Sequence, residues 1–177
     1  MSRHITWVPQ FSDMLKSAIG IRFEDAQAWS NSEADFVCWT DASNIGLSFV
    51  YASNGFCYRG AHKELLAILS GLHHIASKPS PPKRVLFFSD SLDSVQVLSS
   101  FAVKESSHNS ILLAIAGIVL KTGIDIRVRH MTGKDNLKAD LLSRLLLDDF
   151  KLQFPSYRVR TFEPPRELLP AQWRESF

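Results

Sequence analysis

Residues 36–41 read Phe-Val-Cys-Trp-Thr-Asp, a short run with apolar residues on both alternating faces and an acidic residue at its end. Apolar residues on both faces are typical of a strand at the centre of a sheet that is covered on both sides. The sequence therefore predicts a central strand with Asp41 at its carboxyl end.

The residues that follow this strand predict an antiparallel meander. Residues 45–52 form a second apolar run, and residues 56–59 form a third. Between them, Ser53-Asn54-Gly55 is a strong hairpin signal, because Asn and Gly tolerate the positive φ angles of tight hairpin turns. We therefore expect three antiparallel strands at the start of the domain.

Beyond residue 60 the apolar period changes from two to that of a helix. The predicted elements are a helix from about 62 to the prolines at 79–82, a strand over 84–88, helices over 92–101 and about 110–122, a strand over 124–128 and a helix from about 136 to about 147. The order βββ-α-β-α-α-β-α predicts an α/β fold with a mixed five-stranded sheet flanked by helices. In that sheet the three antiparallel strands come first, and helical crossovers make the later strands parallel.

The composition of the chain indicates a folded domain with a segment of different character at its end. Of the 177 residues, 45% are hydrophobic and 21% are charged, with a net charge of +2, which excludes a disordered chain. We expect residues 1–33 to be a leader packed on the domain or a remnant of an upstream region, and residues 34–149 to be the domain. Residues 150–177 carry several prolines and arginines, which favour an extended tail or linker.

The sequence contains no apolar run of about 18 residues, the length that a membrane-spanning helix requires. Its first residues also lack the apolar core of a secretion signal. We therefore expect no membrane partner and an intracellular protein, either cytoplasmic or nuclear.

Four acidic residues fall at positions where functional sites assemble. Asp41 and Asp90 each follow a predicted strand, Glu64 lies in the first turn of the first helix, and Asp140 lies in the last helix. In α/β sheets, sites form at the carboxyl ends of the strands, so we expect these four carboxylates to converge.

Converging carboxylates repel one another and need a cation to remain ionised. Oxygen ligands favour Mg²⁺ or Mn²⁺ over zinc, and two such ions about 3.5–4 Å apart form the clamp used for phosphodiester displacement. Taken singly, each acid also has a structural interpretation. Glu64 complements a helix dipole, and Asp41 or Asp90 forms a turn at a strand end.

Four blocks of sequence follow one another in a characteristic order. They are Trp39-Thr40-Asp41-Ala42-Ser43, Lys63-Glu64-Leu65-Leu66-Ala67, Phe88-Ser89-Asp90-Ser91 and His130-Met131-Thr132-Gly133-Lys134-Asp135-Asn136-Leu137-Lys138-Ala139-Asp140-Leu141-Leu142-Ser143-Arg144. Together they resemble the motifs of type I ribonuclease H domains that follow reverse transcriptases in retroelements such as LTR or tyrosine-recombinase retrotransposons. Integrases of similar fold would carry Glu in the last block, and proofreading exonucleases would open with Asp-x-Glu.

The resemblance implies a ribonuclease H-like fold and a metal-dependent endonuclease that cuts the RNA strand of RNA–DNA hybrids, leaving a 3′-hydroxyl and a 5′-phosphate. Asp41, Glu64, Asp90 and Asp140 match the carboxylates that hold two Mg²⁺ ions, with Mn²⁺ as a possible substitute. His130 matches a loop histidine that assists proton transfer or product release, although it also fits a surface histidine at a strand end.

The same resemblance supplies candidate nucleic-acid contacts. Backbone groups near Ser43, Asn44 and the start of the Glu64 helix are candidates for contacts with the 2′-hydroxyls of RNA. Nearby lysine and arginine side chains are candidates for contacts with the phosphates. The complete set is Ser43, Asn44, Lys63, Ser91, Asn136 and Arg144, with Lys134 beside them. Two of these residues also have structural interpretations, since Asn136 suits the N-cap of the last helix and Arg144 could pair with an acid near the helix end.

The sequence departs from the family pattern in two places. The segment between Asp41 and Glu64 is shorter than in many retroviral relatives, and no basic, tryptophan-bearing helix appears between Phe101 and Asn109. The resemblance therefore implies a reverse transcriptase domain of the same polyprotein as a partner, with residues 1–33 as the leader or connector from this upstream polymerase-like region. The alternative is a catalytically inert module of the same fold that binds hybrid or packs on a polymerase.

Overall fold

The computed structural model describes residues 29–60, 63–100 and 106–168. Its strands are β1 (Phe36–Ala42), β2 (Gly46–Tyr51), β3 (Asn54–Arg59), β4 (Arg84–Ser89), β5 (Asp125–His130) and β6 (Arg158–Thr161). Its helices are α1 (Glu64–Ala76), α2 (Leu92–Ser100), α3 (Ser106–Thr122), α4 (Leu137–Ser143) and α5 (Leu147–Gln153). None of these helices is long and apolar enough to cross a membrane. Most of the predicted leader, the end of the predicted tail and Phe101 lie outside the described residues.

The strands form one mixed sheet in the order β5-β4-β1-β2-β3-β6. β1 pairs antiparallel with β2 and parallel with β4, and β4 pairs parallel with β5. β2 and β3 form the predicted hairpin, but its turn is Ala52-Ser53, with Ala52 at φ 46°, and the predicted turn residues Asn54 and Gly55 belong to β3. The α/β class, the antiparallel opening and the later parallel strands are therefore confirmed, and β1 lies inside the sheet as its two apolar faces predicted.

The prediction of five strands was wrong by one. β6 comes from the segment expected to be a tail, and it pairs parallel with β3 from Asn54↔Arg158 to Cys57↔Thr161. Its alternating arginines are exposed and prolines lie near it, so it reads like a linker. A strand at a sheet edge needs only one partner and little apolar surface, and β6 covers backbone groups that β3 would otherwise expose.

The last predicted helix is also divided in two. α4 ends at Ser143 and α5 begins at Leu147, with Leu145 between them at φ 57°. A left-handed residue that is not glycine is uncommon, and the sequence offers no glycine to mark the break. α3 likewise begins at Ser106, earlier than the predicted start near 110.

The sheet is packed on both faces. One face carries α1 and α3 over a large apolar cluster that includes Phe49 and Phe87. The other face carries α4 and α5 over a smaller cluster. The buried members of that smaller cluster are Val50, Cys57, Ala139, Leu141, Leu142 and Phe150. The smaller cluster holds α4, and with it Asp140, against the centre of the sheet.

Trp29, near the end of the predicted leader, packs against the edge of β5. Its side chain is buried, and its indole Nε1 donates a hydrogen bond to Asp125 Oδ2 at 2.6 Å. The guanidinium of Arg127 lies 4.3 Å from the centre of the Trp29 ring. This contact ties the residues before β1 to an edge strand of the sheet.

We predict that Phe150→Ala lowers the free energy of unfolding by about 3–5 kcal/mol, the usual cost of removing a fully buried aromatic side chain. Phe150 is completely buried, although it lies in the segment that reads as a tail. Leu152→Ala, in the same helix but 82% exposed, is the matched control and should change stability by less than about 0.5 kcal/mol. Urea unfolding of the two variants measures the difference, and equal stabilities would contradict the packing of α5.

Candidate active site

Two parallel strands deliver acidic residues to the same end of the sheet. Trp39 in β1 lies opposite Phe88 in β4. Asp41 and Asp90 each follow two residues later, so they lie at the same level of the sheet. Glu64 is the first residue of α1, where the chain turns back over this end of the sheet.

Asp41, Glu64 and Asp90 form a cluster of three carboxylates, with one oxygen from each residue lying within 4.8 Å of the others. Asp41 is only 4% exposed. The backbone N–H of Ala42 donates a hydrogen bond to Glu64 Oε1 at 2.8 Å. Glu64 Oε2 is buried and has no hydrogen-bond partner. The cluster is therefore short of donors.

Burial and mutual repulsion disfavour the charged forms of two of these groups. Burial raises the pKa of Asp41 to about 7, and the nearby charges of Asp90 and Asp140 act in the same direction, while the hydrogen bond from Ser143 opposes them. Burial, followed by the charge of Asp41, raises the pKa of Glu64 to about 8. A divalent cation bound by oxygen ligands would relieve both effects, so the residues fit a Mg²⁺ or Mn²⁺ site.

The structure does not place Asp140 in this cluster. Asp140 lies in α4, and its Oδ1 accepts a hydrogen bond from Arg144 Nε at 2.6 Å. The expected convergence of four acids therefore holds for three of them. The structural interpretation of Arg144 is confirmed, because it pairs with an acid one helical turn away. Asp140 nevertheless lies close enough for its charge to act on Asp41, whose pKa it helps to raise.

The side chain of Asn136 does not cap α4, as one interpretation of the sequence had predicted. It stands at the N-cap position of α4, but its side chain makes no capping hydrogen bond. Its Nδ2 instead donates to Thr40 O in β1 at 2.9 Å, and the residue is 1% exposed. The contact of Asn136 with nucleic acid stays a prediction. Asn136 fastens the start of α4 to the strand that carries Asp41.

The sequence analysis missed Ser143, whose hydroxyl donates a hydrogen bond to Asp41 Oδ2. Ser143 is completely buried at the end of α4. The available signal was a small polar residue on the same buried face as Ala139 and Leu142. A buried hydroxyl needs a partner, and the nearby acid supplies one.

His130 and the loop after it lie beside the carboxylates. His130 is the exposed last residue of β5, opposite Ser89 in β4. A Cβ atom built on Gly133 would lie 3.3 Å from Asp90 Oδ2, so this loop passes close to the cluster. The role of His130 in proton transfer stays a prediction.

Two serines proposed as nucleic-acid contacts bond within the protein. Ser43 Oγ donates to Ser143 O at 2.8 Å and accepts from Gly46 N at 3.1 Å. Ser91 Oγ accepts from Ser94 N at 3.2 Å, at the start of α2. The other three candidates are exposed near the cluster, namely Asn44, Lys63 and Lys134.

Comparison with known proteins identifies the fold. The sequence matches no model of a protein family and no curated protein. Among solved structures, LC11-RNase H1 in complex with RNA/DNA hybrid is similar with a TM-score of 0.57 and 17% identity, over 65% of this chain and 98% of that one. A second structure of LC11-RNase H1, isolated from compost by a metagenomic approach, has a TM-score of 0.51 and 19% identity, over 64% of this chain and 96% of that one. The protease-reverse transcriptase of prototype foamy virus has a TM-score of 0.48 and 18% identity, over 68% of this chain and 22% of that one. The described chain therefore has the ribonuclease H-like fold.

We predict that the metal-free protein loses stability as pH rises from about 5 to about 8.5. The folded state holds protons on Asp41 and Glu64 up to pKa values of about 7 and 8, whereas unfolded carboxyl groups release them near pH 4. Between those limits the folded state binds more protons, so raising the pH favours unfolding.

The measurement is the melting temperature in a chelator, compared with that of the Asp41→Asn, Glu64→Gln double variant. Burial lowers the pKa of His74, and this group therefore makes the folded state more stable as the pH rises. Because the wild type and the double variant share His74, its contribution cancels in their difference. The wild-type value minus the variant value should fall as pH rises. A difference that is constant or rises would contradict the assignment.

Proposed function

We propose that this protein is a metal-dependent ribonuclease H that hydrolyses the RNA strand of RNA–DNA hybrids. The observation that carries the proposal is the cluster of Asp41, Glu64 and Asp90 at one end of the sheet, with a buried Glu64 oxygen that lacks a partner. Carboxylates this close are unfavourable without a cation, and they suit a hard divalent ion.

Asp41, Glu64 and Asp90 would hold the first ion, and Asp140 would help to hold a second after leaving Arg144. When bound, two divalent ions supply an activated water and stabilise the charge on the leaving oxygen. The chain itself orients these carboxylates through β1, β4 and α1. His130 is exposed at the end of β5 and would move a proton to or from the reacting oxygens, since an imidazole can both accept and donate a proton.

The proposed substrate is an RNA–DNA hybrid that lies across the carboxyl end of the sheet. The support is the shared fold with LC11-RNase H1, which has been solved with an RNA/DNA hybrid, and the motif resemblance. Asn44 and Lys63 are exposed on one side of the cluster, and Lys134 is exposed on the loop that passes Asp90. These side chains would contact the sugar-phosphate backbones of the RNA and DNA strands. Contacts with the 2′-hydroxyls would distinguish RNA from DNA.

The proposed biological setting is reverse transcription by a retroelement. It rests on the motif resemblance, above all on the block from His130 to Arg144. In that setting a reverse transcriptase domain of the same polyprotein would add contacts to the hybrid.

A second candidate function is a catalytically inert module that binds hybrid or packs on a polymerase. The observation that favours it is that the fourth carboxylate, Asp140, pairs with Arg144 and is not one of the three grouped acids. The two candidates differ in whether hybrid is cut or only bound.

We predict that the protein cuts the RNA strand of a labelled RNA–DNA hybrid in Mg²⁺ or Mn²⁺, and that Asp90→Asn slows cutting at least about 100-fold, the scale of losing one transition-state stabilising group. Asp93→Asn is the matched control, because Asp93 is an exposed acid in the first turn of α2. It should keep wild-type activity.

The same RNA as a single strand and as an RNA duplex should remain uncut. Hybrid binding without cutting in either metal would favour the inert module. Cutting that Asp90→Asn leaves unchanged would show that this cluster is not the active site.

A further inference from the structure

The hydroxyl of Ser143 has one proton and two acceptors within reach. It contacts Asp41 Oδ2, and it lies 3.0 Å from Asp140 O, the carbonyl one turn earlier in the same helix. Once Asp41 is ionised, as a carboxylate that holds a cation is, it is a stronger acceptor than a backbone carbonyl. In that state the hydroxyl proton goes to Asp41.

The backbone of Ser143 is fixed by contacts that do not involve Asp41. Its carbonyl oxygen accepts a hydrogen bond from Ser43 Oγ at 2.8 Å. The same oxygen would lie 2.5 Å from a Cβ atom at Gly46, so only a glycine lets β2 approach the end of α4 this closely. The hydroxyl is thus held in place before any ligand arrives.

Asp41 is nearly buried, and its carboxylate must meet Glu64 and Asp90 in a defined orientation to share an ion with them. The hydrogen bond from Ser143 occupies one of its two oxygens and restricts rotation of the group. Residues that hold a ligand from behind in this way commonly change metal affinity about 10–100-fold when they are removed.

We propose that Ser143 is a positioning residue that orients the Asp41 carboxylate for divalent-metal binding. The proposal rests on the proposed function only in taking the cluster as a metal site. It assigns Ser143 no contact with substrate.

The chain offers a matched control in Ser48. This serine is also completely buried and also ties the sheet to α4, because its hydroxyl donates to Ala139 O at 2.7 Å. Its partner is a backbone carbonyl, however, and not a carboxylate of the cluster. Ser48→Ala therefore removes a similar hydrogen bond between the sheet and α4, and it leaves the hydrogen bond to Asp41 in place.

The test is calorimetric titration of the hybrid-free protein with Mg²⁺ and Mn²⁺. Ser143→Ala should weaken metal binding about 10–100-fold, whereas Ser48→Ala should stay within about threefold of wild type. Ser143→Thr keeps the hydroxyl and should restore most of the affinity. Melting temperatures in a chelator identify any variant that fails to fold. If Ser143→Ala fails to fold, the metal affinities of Ser143→Thr and Ser48→Ala are compared with that of the wild type instead.

Equal metal affinities for Ser143→Ala and Ser48→Ala, or a Ser143→Thr affinity as weak as that of Ser143→Ala, would overturn the positioning role. A wild-type protein that binds no metal would overturn both this role and the proposed function. A protein that shows the expected affinity ratio but cuts no hybrid would overturn the proposed function alone.

Discussion

The repulsion among Asp41, Glu64 and Asp90 is the constraint on which this end of the molecule depends. Their oxygens lie within 4.8 Å of one another, and burial raises the pKa of Asp41 to about 7 and that of Glu64 to about 8. Bringing charged groups out of water and toward like charges lowers the stability of the folded state. A fold that keeps such a cluster gives up stability there for a binding site, and a divalent cation is the ligand that removes the conflict.

The rest of the fold supplies rigidity where the cluster needs it. β1 is held between β2 and β4, which fixes the level of Asp41 relative to Asp90. α4 is fastened to the same region by three buried hydrogen bonds, from Ser48 to Ala139 O, from Asn136 to Thr40 O and from Ser143 to Asp41. The carboxylates therefore stand on elements that cannot easily move apart, so the site keeps its geometry without a ligand.

Strand ends could be predicted from the sequence because the apolar period stops sharply at Asp41 and Asp90, and a parallel pair brings such ends together. Long-range partners could not be predicted in the same way. Asp140 looked equivalent to the other acids, yet it pairs with Arg144, one turn further along the same helix, and is not among the three grouped carboxylates. Asn136 looked like a helix cap, but its amide turns inward to β1. β6 was missed because an exposed edge strand rich in arginine has no apolar pattern to show.

The most direct test of the metal site is anomalous diffraction from crystals grown with Mn²⁺. The account predicts an anomalous peak bounded by carboxylate oxygens of Asp41, Glu64 and Asp90, the three residues whose oxygens the structure brings together. An ordered crystal with Mn²⁺ bound at other acids and none at this cluster would contradict the account.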